Sequence, residues 1–241
     1  MTRKRRTREE TRRLLLDAAT RVVRARFQGD LEGSTNPLAG VRITETLDEV
    51  NRMLLMSDPA ATPMTTGAVY NIWPTQEEFQ DAILDRIFTD AAVPGINEVR
   101  SVLRESIEQG LDWRDVVARC FALDFEISFQ EQTMFVMIGV TALGSSDRIA
   151  AQTAPADDNY LVETADVLQQ VLEYADRRLV DDRSIDDLVW AIEAAESGYL
   201  LRRRTMPDVP LRTNASGRTA VQSAIVAIVE AFTVQIDAEQ N

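Results

Sequence analysis

Between Met64 and Phe79 the chain reads M-T-T-G-A-V-Y-N-I-W-P-T-Q-E-E-F, and this stretch limits the available folds more than any other. The adjacent hydroxyls of Thr65 and Thr66 suit a helix start, where a side-chain oxygen accepts from an otherwise orphaned N–H. Gly67 and Ala68 keep one side of the first turn low, so that another surface can come very close. Val69, Ile72 and Trp73 supply an apolar side at helical spacing, while Thr66, Tyr70 and Asn71 point elsewhere. Pro74 ends the helix, because the residue before a proline is pushed out of the α region. Thr75-Gln76-Glu77-Glu78 then forms a capping box for the next helix. The stretch therefore encodes a very short helix joined by a sharp corner to a longer one.

These residues resemble the recognition helix and following helix start of the TetR family of bacterial repressors, whose usual pattern is V-S-x-G-x-L-Y-x-Y-F-P-S-K-E-E-L. Met64, Thr65, Gly67, Val69, Tyr70, Trp73, Pro74, Thr75, Glu77, Glu78 and Phe79 match it or replace it conservatively. Gln76 stands where the family usually has a lysine, and Asn71 where a basic residue is common. The resemblance is strong over residues 7–90 and weak beyond. It implies that Thr65, Thr66, Gly67, Ala68, Tyr70 and Asn71 face a DNA groove, with Thr75 beside them. It also places Thr44 and Thr46 at positions of backbone-phosphate contact. Asn71 can bond adenine N6/N7, and Tyr70 is the better candidate for a backbone contact.

Upstream, Thr7-Arg8-Glu9-Glu10 is a second capping box. Leu14, Leu15, Ala18, Ala19, Val22 and Val23 follow at i, i+3/i+4 and predict an amphipathic helix to about Phe27. Its other face carries Arg8, Arg12, Arg13, Arg21 and Arg24; in a DNA binder, Arg8 and Arg12 would sit by phosphates, which reward charge without reading sequence. Residues 28–40 are a loop by composition, and longer than the family's link. The next helix starts near Thr44 and buries Leu47, Val50, Met53 and Leu54. A second insertion, 55–63, contains Pro59 and Pro63 and lengthens a turn that usually takes about four residues. Arg3 to Arg6 have nothing to pack against, so disorder is expected at the start.

Charge is distributed to match. The net charge is −13, which alone argues against nucleic acid. Residues 1–26, however, hold ten Arg/Lys against three Asp/Glu, a balance of +7. Residues 1–88 hold thirteen of each, so residues 89–241 carry the whole −13. A basic arm on an acidic body fits a two-part DNA binder.

Beyond Pro94-Gly95 the pattern is helical throughout, with helices expected at 96–109, 113–129, 131–143, 158–178, 185–204 and 218–237. Breaks are expected at Gly110, Gly144-Ser145-Ser146, Pro155, Asp181-Asp182 and Pro207 to Pro210. No period-2 alternation is long enough for a strand, so the fold class is all-α. The division expected is a helix-turn-helix DNA-binding domain over 1–90, and a larger helical effector-binding and dimerisation domain over 91–241.

Trp113, Phe121, Phe125, Phe129, Met134 and Met137 concentrate aromatic and thioether side chains that either line an adaptable ligand pocket or fill a core. Glu126 lies among them and would either greet a cationic ligand or sit on a solvated helix face; if it or Asp124 is buried, each needs a cationic or hydrogen-bonding partner. Leu188, Ile192 and Tyr199, then Val221, Ile225, Ile228 and Phe232, form apolar stripes on the last two helices. In the resembled family the last two helices make a four-helix dimer interface. The alternative is that both stripes pack into their own core.

Several chemistries lack their signature. The chain has no histidine, which removes Ser-His-Asp and Cys-His systems and the usual zinc sets. No glycine-rich nucleotide loop occurs, and the acidic pairs lack the EF-hand glycine and closing glutamate. Neither an enzyme nor a cofactor or metal site is expected. Cys120 is the sole cysteine and reads as buried and inert. No apolar run approaches the ~20 residues of a membrane span, and a cytoplasmic location is expected. Together these readings give a homodimeric regulator on a palindromic operator, expected to be a repressor released by a small-molecule effector. The competing class is a helical scaffold that kept the fold and lost DNA binding through its two insertions.

Overall fold

The structure, a computed structural model, describes residues 6–28, 41–91, 95–143 and 146–236. The basic run at 3–5, nearly all of the 28–40 insertion, Pro94 and Gly144-Ser145 lie outside the described residues. The elements are α1 (Arg8–Gln28), α2 (Ile43–Ser57), α3 (Thr66–Tyr70), α4 (Gln76–Ala91), α5 (Ile96–Glu108), α6 (Trp113–Gln130), α7 (Gln132–Leu143), α8 (Ser146–Tyr174), β1 (Arg177–Leu179), α9 (Ile185–Thr205), α10 (Ala220–Phe232) and β2 (Thr233–Gln235). The all-α class holds. No helix among the described residues is long and apolar enough to cross a membrane.

The contacts group the chain into two compact units, Met1–Ala91 with Gln132–Pro155, and Ala92–Glu131 with Ala156–Asn241. This grouping follows a different line from the sequence division at residue 90, and α7 is the reason. Its sequence, QTMFVMIGVTAL, is apolar on all sides and needs neighbours all round. It finds α4 and α1.

In the first unit α1 packs on α2, burying Leu15, Leu16, Ala18, Ala19 and Val23 together with Ile43, Leu47, Val50 and Leu54. The box at the start of α1 is formed: the Glu10 N–H donates to the Thr7 hydroxyl at 3.1 Å, and the Thr7 N–H donates to the Glu10 carboxylate at 3.4 Å. α4 adds Phe79, Ile83, Ile87 and Phe88 to the same core. The turn read as 55–63 is shorter than its sequence suggested, since α2 continues through Ser57.

In the second unit α6 packs against α5 and α10, and α10 against α9. Ser184 and Thr219 open α9 and α10 with capping boxes to Asp187 and Gln222. Gly95, the N-cap of α5, sits at φ 75° with no room for a side chain: an added Cβ would meet Ile127 at 2.4 Å. Cys120 is buried, and burial pushes its thiol up to about 12.

Three expectations are corrected. α8 starts at Ser146 and runs through Pro155, where the sequence predicts a break; a proline costs a helix one N–H donor and bends it without always ending it. α8 then stops at Tyr174 and not 178, because Asp176 turns left-handed at φ 50°. α10 stops at Phe232, where β-branched Thr233 and Val234 begin a strand. β1 and β2 pair antiparallel, with Arg178 opposite Val234. The Arg177 guanidinium locks that ribbon, donating to the Thr233 hydroxyl at 2.7 Å and the Thr233 carbonyl at 2.8 Å.

Candidate nucleic-acid interface

α3 is too short to be stable alone, since helix nucleation is costly and five residues repay little of it. Its position comes from neighbours. Val69 is fully buried, and Met64 and Trp73 nearly so; each such side chain contributes about 1.5–3 kcal/mol when removed from water. Trp73 packs on Phe79 of α4 with ring centroids 5.1 Å apart, which fixes the corner at Pro74. The Thr75 hydroxyl accepts from the Glu78 N–H at 3.1 Å, as the capping sequence predicts. Glu78 completes the contact through the Thr75 hydroxyl (3.3 Å).

Two side chains whose backbone partners the sequence does not announce fix this corner. Asn51 of α2 accepts from the Met64 N–H at 2.6 Å and donates to the Met64 carbonyl at 3.0 Å. This two-point clamp closes the 58–63 turn onto α2. Gln76 donates to the Val41 carbonyl at 2.9 Å, tying the start of α4 to the residues before α2. Neither had a local signal: a polar residue on a helix says nothing about a backbone partner elsewhere in the chain. Thr65 is the N-cap as expected, but its side chain makes no capping bond.

The outward face of α3 consists of Thr65, Thr66, Gly67, Tyr70 and Asn71, all exposed, with Ala68 half-buried. Tyr70 is 50% exposed, on the opposite side from the fully buried Val69. A Cβ added at Gly67 would meet only the Thr65 hydroxyl, at 3.8 Å, so the surface there is open and low. Arg8, Thr44 and Thr75 are exposed. Arg12 is half-buried, its guanidinium 5.9 Å from the centre of the Trp73 ring. Thr46 must be withdrawn from the set: it is fully buried and its hydroxyl has no partner, so it presents nothing to a phosphate. Beside Thr65 lies a cleft of about 570 Å³, lined by Arg6, Thr11, Leu54, Thr62 and Met64 among others. The Arg6 guanidinium donates to the Thr62 carbonyl at 3.0 Å and pins the 58–63 turn from the other side.

No family model and no curated protein matches the sequence. Among solved structures, a TetR-family transcriptional regulator from Cytophaga hutchinsonii superposes with a TM-score of 0.53 at 13% identity, covering 97% of this chain and 100% of that one. The fold is that of a TetR-family regulator.

In the second unit of this TetR-like fold, the expected ligand set separates. Met134 and Met137 belong to the other unit. Trp113 is buried, with the Arg114 and Arg177 guanidinium groups 4.6 and 4.7 Å from the centre of its ring, a structural stack rather than a pocket wall. Phe121 and Phe125 are buried. Glu126, expected to meet a cationic ligand, already has a cation: Arg203 bonds it at 2.6 Å and lies 4.0 Å from the Phe129 ring centre. That hydrogen bond, with a second from Gln130, holds the Glu126 carboxyl below its ordinary range.

The expected partner face also changes. Leu188, Ile192, Val221 and Ile225 are buried in their own unit, at 0–2% exposure, and have nothing left to offer a second chain. Tyr199, Ile228 and Phe232 are half-buried, and the Arg183 guanidinium covers Phe232 at 5.0 Å. What α9 exposes is another stripe, Trp190, Ala194, Gly198 and Leu201, at helical spacing.

The residues the reading undervalued are acidic. Asp124 of α6 and Glu196 of α9 are in hydrogen-bonding contact, and Tyr160 of α8 lies close enough to feel both. Burial raises Asp124 to about 6, and burial followed by the Asp124 charge raises Glu196 well above the carboxylate range.

Proposed function

We propose that this chain is a homodimeric, effector-responsive DNA-binding regulator of transcription in the cytoplasm, a repressor that releases its operator when a small molecule binds. The observation that carries the reading is the outward face of α3: five exposed polar or small residues on a helix anchored by Val69, Met64 and Trp73. Thr66, Tyr70 and Asn71 enter the major groove, and Gly67 with Ala68 allows close approach. Arg8 and Thr44 hold phosphates, and Thr65, Thr75 and Arg12 flank them. Residues 1–90 are the reading head and residues 91–241 the sensing and pairing part. The Asn51 clamp argues against the scaffold alternative, because it keeps α3 seated despite the longer turn.

The two-fold partner docks on the α9 stripe of Trp190, Ala194, Gly198 and Leu201. A Cβ at Gly198 would meet nothing within 4 Å, so this side is open to a close helix approach. A dimer presents two recognition helices about 34–36 Å apart to a palindrome. The test is a gel shift on the upstream region of its own gene across a salt series. Specific binding that falls steeply with salt, and collapses in Tyr70→Ala, supports the reading. Binding that ignores salt or survives Tyr70→Ala removes it.

A further inference from the structure

Among the described residues of the second unit, one acidic site has no cation acting on its carboxylates. Glu196 is only 6% exposed, and its Oε1 has neither solvent nor a hydrogen-bond partner. Asp124, half-buried, touches it from α6. Glu193, one turn earlier on α9, adds a third carboxylate; its Oε1 accepts from the Ser197 hydroxyl at 2.8 Å. Tyr160 of α8 completes the group, with Thr164 bonded to its hydroxyl. Among the described residues, the charges acting on Asp124, Tyr160 and Glu196 are all carboxylates. Arg203, seven residues beyond Glu196, is committed to Glu126 and Phe129.

We propose that Glu196 and Asp124, with the Tyr160 hydroxyl and Glu193 at the rim, bind a small organic cation bearing an amine or guanidinium group. A buried carboxylate without a cation or enough donors is expensive, and the fold relieves that cost only in part. One shared proton between Asp124 and Glu196 satisfies one oxygen of each and leaves the remaining carboxylate oxygens short of donors. An ammonium brings three donors and a guanidinium five, enough to meet Oε1 and the neighbouring oxygens together. Asp124, Tyr160 and Glu193 are half-buried, so the group lies partly in contact with solvent. The Tyr160 ring leans on Trp190 (centroids 6.1 Å apart, 34° between planes), which gives the cation an aromatic neighbour. Trp190 is also part of the exposed α9 stripe, so occupancy bears directly on the face assigned to the partner. That last link rests on the proposed function; cation binding itself does not.

The experiment is isothermal titration calorimetry on the full chain near neutral pH. The probes are butylguanidinium and butylammonium, with butanol and butyrate as neutral and anionic controls. Saturable binding of the two cations, absent for both controls, is the expected result. Glu196→Gln weakens it by about tenfold or more, since it removes the charge and half the acceptors. Asp124→Asn serves as the second variant should the first not fold. Repeating the titration in buffers of different ionisation enthalpy shows proton release in the wild type, because the cation displaces the shared proton, and none in Glu196→Gln. Cations binding no better than butanol, equal binding by both variants, or buffer-independent heats would each overturn the proposal. A gel shift run with and without butylguanidinium reads the coupling separately, so failure to bind DNA leaves the calorimetric answer intact.

Discussion

Thr46→Val separates burial from DNA contact more sharply than any other single change. The side chain is fully buried on α2 and its hydroxyl lacks a partner. Valine has nearly the same shape and a similar helix propensity, so the substitution removes a desolvated hydroxyl and little else. An unpaired hydroxyl in a protein interior costs about 1–3 kcal/mol, while nothing that stabilises is lost. The expected gain is about 1–2 kcal/mol in the first unit. For a chain of this size each kcal/mol moves the midpoint by about 2–4 °C. Urea unfolding followed by helical circular dichroism reads the gain as a higher midpoint at unchanged slope. The same protein in a gel shift should bind operator DNA as the wild type does. A tenfold loss of DNA affinity with no change in stability would refute the reasoning, since it would mean that the hydroxyl reaches a phosphate in the bound state. A drop in stability would refute it too.

Asn51→Ala should lower stability by about 1–3 kcal/mol, because it removes two hydrogen bonds worth about 0.5–1.5 kcal/mol each. DNA binding should weaken with it, and Asn51→Asp, which keeps only the acceptor, should fall between. Arg8→Ala should leave the unfolding midpoint within about 0.5 kcal/mol and flatten the slope of log affinity against log salt by about 0.9 per protomer, about 1.8 for the dimer, on specific and non-specific DNA alike. Arg203→Ala should destabilise the second unit in a pH-dependent way. The Glu126 carboxyl is held low in the folded chain, so its pairing contributes fully above the ordinary carboxylate range and is lost as pH falls through the folded value. The urea midpoints of variant and wild type should therefore differ most near neutral pH and draw closer as pH falls through the folded Glu126 value. A gap that stays constant with pH would assign Arg203 to packing on Phe129 alone.

The α3 corner was legible because every signal it needs lies within one short stretch: Val69 and Trp73 for the buried side, Pro74 for the stop, Thr75 and Glu78 for the restart. The stripes on α9 and α10 were legible as buried but not as buried against what. An apolar period says that a face leaves water, and Leu188 and Ile225 left it for their own unit. Pro155 misled because its missing N–H interrupts one bond, and the rest of α8 carries the helix past it. The Asn51 clamp and the Asp124–Glu196 contact were out of reach for a different reason. Each joins residues on separate helices, and no local pattern announces which polar group will find which. Asp124, half-buried, meets another acid where a cation or a neutral donor would be the ordinary partner.

The three tryptophans lie in three different surroundings. Trp73 sits under α3, against Phe79 and Arg12. Trp113 is enclosed by two guanidinium groups, and Trp190 leans on Tyr160 at the edge of the acidic site. Each indole therefore emits from its own dielectric setting. Keeping one and replacing the other two with phenylalanine yields an intrinsic optical probe of the α3 corner, of the helical core, or of the acidic site, with no dye attached.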